Sequence, residues 1–336
     1  MTRFENDATP LPLPRGARRP ALWAGVKRAL FGINPADTSF ARRAFRGDHA
    51  AVREQLESVG KSFVHGYHAA LEESSPEALV ARVGEVGHEW IGFAYEGAAM
   101  ALTILDTITP WRRDRLQRFL AGPGEPHVYL MIVGAGWIMA RLPVSPQRLL
   151  TRFDPVLRWL ALDGYGFHEG FFNWPKAVER QEVPARLTGY FRRGFDQGLG
   201  RSLWFVDGAD VRLLPQTIGA FPAARQGDLW AGLGLAVAYA GGRERAAVEE
   251  LKRAAGTYAP QLAQGAAFAA KARERAGNLA THTELACEVL CGMSATGAAE
   301  VCDQALLNLP PDSAEVPAYD VWRQRIQERF SEGSRT

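Results

Sequence analysis

The residues in this sequence that could move protons or hold charge sit in unusually apolar company. In LDGYGFHEGFF, Leu162 to Phe172, His168 and Glu169 are adjacent among aromatic residues and three glycines. Glycine costs a helix up to about 1 kcal/mol relative to alanine, and a buried ionised carboxylate costs several more unless paired, so such a segment implies a partner or a function. Glu96 stands alone in GFAYEGAAMALTIL, where burial would raise its pKa and suit it to proton transfer. The structural reading gives it a buried partner, such as an arginine of the Arg42-Arg43 or Arg192-Arg193 pairs. A third stretch, YFRRGFDQGLGRSLWFVDGAD, concentrates Asp196, Arg201, Asp207 and Asp210 among aromatics, and its structural reading is an internal ion-pair network. The candidate catalytic set is therefore His168, Glu169, Asp196, Arg201 and Glu96. Tyr165, Phe167, Phe171 and Trp204 would contact an apolar substrate, with Gly198 and Gly200 admitting it close to the backbone.

Metal chemistry has a weaker basis. His65 and His68 are three apart and share a helix face, and with Glu96 they supply the residue types of a helical-bundle metal site. The Glu-x-x-His pattern of di-iron bundles is missing, so hydrogen-bonded or surface histidines are the other reading. Cys287 and Cys291 lie four apart in an apolar helical pattern without a second pair, as core thiols do. There is no phosphate-binding glycine loop, dinucleotide fingerprint, GxSxG elbow or HExxH. No cofactor is implied by motif; a non-haem metal at His65, His68 and Glu96 is the alternative.

The elements that must position these residues are helices. Leu116, Phe119 and Leu120 fall at i, i+3 and i+4, and the same spacing runs through ALVARVGEV and AAVEELKRAAG, while strand patterns are nearly absent. Ser75-Pro76 and Ser145-Pro146 read as capped helix starts, and Gly122, Gly124 and Gly256 as stops with positive φ. The fold class is mainly α. Two diverged copies of a unit of roughly 130 residues are expected, packed about a pseudo-twofold axis. Phe63-x2-Gly66 recurs as Phe195-x2-Gly198, GFAYEGAAMAL as GDLWAGLGLAV, and GAGWIMAR as GAAFAAKAR. The division is a disordered tail over 1–20, repeats over 21–175 and 176–330 forming one compact unit, and a short tail over 331–336. Order should begin near Leu22 and Trp23.

Composition narrows the function. The 336 residues are 47% hydrophobic and 23% charged, as in ordinary globular proteins, and the net charge of +2 argues against nucleic-acid binding. The most apolar runs, Gly97 to Leu105 and Val128 to Ala140, fall short of the roughly 20 residues a bilayer requires and read as buried helices. Three cysteines and no apolar leader point to the cytoplasm.

LFGINPADTSFARRAF, GFAYEGAAMAL, VGAGWIMARLP, LDGYGFHEGFF and GFDQGLGRSLWFVDGADV, in this order, resemble the UnbL-like family, a family of unknown function from enediyne biosynthetic gene clusters. The resemblance spans about residues 25 to 330. It implies a role in converting a conjugated polyketide polyene into the enediyne core beside other accessory proteins, and it supplies no catalytic residues. The expectation is an enzyme of an oxidative or cyclising step on a hydrophobic polyene, with a non-catalytic shielding protein or scaffold as the alternative.

Overall fold

The computed structural model describes residues 18–332 except 48, 110, 314 and 315, and shows helices and no strand among them. The principal helices are α1 (Arg18–Phe31), α2 (Ala50–Glu72), α3 (Ile91–Ile108), α4 (Val128–Gly136), α5 (Leu160–Phe172), α6 (Tyr190–Val206), α7 (Ala223–Ala240), α8 (Ala259–Arg275), α9 (Thr281–Leu290), α10 (Ala295–Leu306) and α11 (Ala318–Glu332). The start of α1 at Arg18 precedes the expected onset, with Pro20 in the first turn, where its missing N–H costs no hydrogen bond. The tails read from the sequence lie largely outside the described residues. Ser75 and Ser145 cap the short helices Pro76–Val83 and Pro146–Leu150 as expected, each accepting a hydrogen bond from a first-turn N–H. Of the three glycine stops, Gly256 has φ +52. Gly124 is right-handed at φ −83, and Gly122 is also outside the positive-φ set, because a tight helical turn rather than a left-handed cap links that region.

From α2 to α8 each principal helix packs on the next, and glycine explains how closely. Residues i and i+2 point about 200° apart on a helix. A Gly-x-Gly pair therefore bares the backbone on two opposite faces. In α5 an ideal Cβ on Gly164 would lie 1.9 Å from the Val133 carbonyl oxygen of α4, and one on Gly166 would lie 1.9 Å from that of Phe195 in α6. In α6 the corresponding oxygens are Asp163 at 1.7 Å from Gly198 and Leu229 of α7 at 2.1 Å from Gly200. The same device recurs in α4 (Gly134, Gly136) and α7 (Gly232, Gly234), and single glycines complete it at Gly66, Gly97 and Gly265. Approach this close suits Cα–H···O contacts and leaves no room for any side chain.

The matched sequence blocks fall on α2 and α6, α3 and α7, and α4 and α8. The backbone contacts carry a shorter period, one glycine-bearing helix roughly every 30 to 37 residues. Helices α5 and α6 run parallel, since Leu162 meets Gly194, Phe195 meets Gly166 and Ser202 meets Gly170 in the same order along both. The series curls back on itself. Phe93 of α3 meets the Tyr239 ring of α7 edge-on at 5.1 Å, and Gln55 of α2 donates to the Ala240 carbonyl of α7. Helices α9, α10 and α11 pack against α8. Helix α3 is long and apolar enough to cross a membrane, but most of its residues are buried inside this ring.

Candidate functional site

The curl leaves a partly open cavity of about 50 Å³ whose walls come from α2, α3, α5, α6 and α7 together with Trp137, which follows α4. Val59, Phe63, Phe93, Phe167, Phe171, Phe205 and Leu235 make it apolar, and Trp137 stacks on Phe63 with ring centres 4.1 Å apart. One face is closed by the strap 32–47, which inserts Ile33 and Thr38. Thr38 sits where a side chain on Gly60 would be, 2.7 Å from the ideal Cβ position. The strap is pinned by a hydrogen bond from the Ile33 N–H to His68 Nε2 (3.2 Å), by the Arg46–Asp207 ion pair (2.8 Å), and by Phe45 edge-on to Phe171. Burial holds His68 neutral, as an acceptor must be, and pushes Asp207 up to about 6 against the pull of Arg46.

Among the described residues the cavity lining holds two charged ones, Glu96 and Arg201. Glu96 Oε1 accepts from Trp137 Nε1 (3.2 Å) and from an Arg201 terminal nitrogen (3.3 Å). Arg201 Nε faces Asp163 Oδ1 at 3.1 Å, and Gln197 donates to Asp163 Oδ2 at 2.8 Å while sharing hydrogen bonds with Tyr319. Arg201 also lies over the Phe167 ring, 4.6 Å from its centre. Burial pushes the Glu96 carboxyl up to about 7, with Arg201 opposing and Asp163 reinforcing. Burial works against the charge on Arg201, yet Asp163 and Glu96 outweigh it and hold its pKa above the ordinary value. Burial also raises the Asp163 carboxyl, against the pull of Arg201 and Gln197, so the cluster is an arginine between two buried carboxyls, of which Glu96 gains or loses its proton near neutral pH.

The sequence candidates divide accordingly. Glu96, Arg201, Phe167 and Phe171 meet at the cavity, and the partner of Glu96 is Arg201 rather than a member of either arginine pair. His168 shares α5 with the cavity phenylalanines but turns its ring edge to Trp137 and lies 3.7 Å from Glu169, with neither ring nitrogen hydrogen-bonded; burial lowers its pKa. Glu169 reaches outward to Asn173. Asp196 is bound by Arg225 in two contacts of 2.5 and 2.9 Å, Tyr165 accepts from Arg186, and Trp204 donates to the Gly241 carbonyl, so none of these lines the cavity. Gly198 and Gly200 are covered by neighbouring helices and offer no backbone to a ligand. His65 Nε2 contacts the Arg82 carbonyl and His68 holds the strap, so neither joins Glu96, and no metal-binding group of three appears among the described residues. The three cysteines are buried and unpaired.

Asp163, Trp137 and Tyr239 escaped the sequence reading. Asp163 lies inside the quoted LDGYGFHEGFF, one residue from a glycine that meets a neighbouring helix. Trp137 carried a usable signal, since an indole N–H in an apolar run needs an acceptor.

The described residues form a helical protein around an aromatic cavity with a buried acid. The chain belongs to the family described as Protein of unknown function (DUF1702), whose model matches residues 22–330. No curated protein and no solved structure matches it.

Proposed function

We propose that the cavity takes a hydrophobic, unsaturated ligand and that Glu96 exchanges a proton with it. The observation that carries this reading is a carboxyl with a pKa of about 7 on the wall of an aromatic cavity. A general acid works best with a pKa near the operating pH. Protonated Glu96 gives its proton to a polyene carbon, leaving a delocalised cation against aromatic faces and a carboxylate beside Arg201. Total site charge is unchanged by this step, because the new carboxylate balances the new cation. Return of a different proton to Glu96 yields an isomer; attack by a second double bond before that return closes a ring.

The motif resemblance to the UnbL-like family supports placing this step in maturation of an enediyne-type polyketide, beside other accessory proteins. The cavity is far smaller than the ~300–1,000 Å³ of typical ligand pockets. Ligand entry therefore displaces the strap or the wall phenylalanines. Incubation with a linear polyketide polyene in D2O should introduce deuterium at the polyene carbons, read by mass spectrometry. Glu96→Gln should slow that uptake by about 100-fold or more while retaining binding. Binding without uptake by the unaltered protein would refute the acid–base role and leave the shielding alternative.

A further inference from the structure

We infer that the end of the molecule formed by α1 and the segment after α3 is a docking surface for an anionic lipid membrane. Trp111 is 82% exposed, and Ile108 before it is also exposed. Helix α1 lies alongside, because Lys27 lines the same surface cleft as Thr109, Arg112 and Arg115. One turn on from Lys27, Leu30 is 71% exposed, and Val26 adds a further apolar side chain. Four of the exposed large hydrophobic residues thus belong to this one region.

The charges around them are unbalanced in one direction. Arg112 and Arg113 follow Trp111 directly, and Arg113 shares a second cleft with Arg148. Lys27, Arg112, Arg113 and Arg148 have no ion pair among the described residues, whereas the nearby acids are already engaged: Asp106 by Arg115 and Arg152, Asp114 by Arg118, Glu72 by Arg28 and Arg82. An exposed indole followed by two arginines without ion pairs fits the boundary of a bilayer, where the ring enters the headgroup layer and the guanidinium groups meet phosphate. The net charge is only +2, so this cationic character is local to the patch. An acidic protein would satisfy the arginines but leaves Trp111, Leu30 and Val26 without an apolar phase.

The test is co-sedimentation of the full chain with phosphatidylcholine vesicles, with and without phosphatidylglycerol, at low and high salt. Binding is expected only to the anionic vesicles and should fall as salt rises. Each arginine removed in Arg112→Gln and Arg113→Gln should lower the partition constant about fivefold, and Trp111→Ala should lower it further. All three positions are exposed, so folding is preserved, which circular dichroism would verify. No binding to anionic vesicles, or equal binding by the variants, would overturn the inference. Retention on immobilised polyglutamate without vesicle binding would overturn it too, assigning the patch to an acidic protein.

Discussion

At the residue scale the molecule concentrates its unusual chemistry on one carboxyl. Glu96 was legible because a lone acid in fourteen otherwise uncharged residues needs an explanation, and His168 drew attention through its place beside Glu169. His168 and Glu169 do face each other, 3.7 Å apart, but neither lines the cavity, and Glu169 is also held by Asn173. Raising the Glu96 pKa to about 7 from an unfolded value near 4.5 means that the folded state holds the extra proton between those limits. Stability from this group is therefore complete below about pH 4.5 and is lost as pH rises through 7, a loss on the order of 3 kcal/mol. Glu96→Gln mimics the protonated acid. In urea titrations at pH 8 the variant should be more stable than the parent, and the two should converge near pH 4.5; a variant less stable at pH 8 would show that Glu96 is an ionised structural partner of Arg201.

At the element scale the glycines decide the architecture. Helical period and serine caps were readable, but the purpose of Gly164, Gly166 and Gly170 was not. Glycine in a sequence signals either a backbone conformation or a close approach, and only the neighbouring helix distinguishes them. Here all three are helical and face other chain segments, which answers why LDGYGFHEGFF tolerates them: their cost in helix propensity is offset by backbone packing on both sides. Gly198→Ala would drive a methyl into the Asp163 carbonyl and separate α5 from α6, so it should cost at least the upper part of the ~1–3 kcal/mol range for overpacking. Gly219→Ala meets nothing within 4 Å and should be neutral or slightly stabilising. Thermal melts of the two variants give the comparison, and equal melting temperatures would refute the backbone-packing account.

At the scale of the whole molecule, the chain-ordered series of helices produces something no local pattern announces. Curling brings Glu96 of α3, Trp137, Asp163 of α5, Arg201 of α6 and Tyr239 of α7 around one space, although they span more than 140 positions in the chain. Asp196, Tyr165 and Trp204 came from the same conspicuous segments and point elsewhere, because a helix presents every face and the sequence does not say which one turns inward. We propose that this space takes a conjugated apolar ligand against a protonatable Glu96. A bound apolar ligand deepens the burial that already favours the protonated Glu96 carboxyl, so the protonated form should bind better. Titration with the fluorescent polyene diphenylhexatriene from pH 5 to 9 tests this directly. The account predicts one saturable site per chain, weakening with a midpoint near pH 7, and a pH-independent affinity in Glu96→Gln. Absence of saturable binding, or the same pH profile in both proteins, would contradict it.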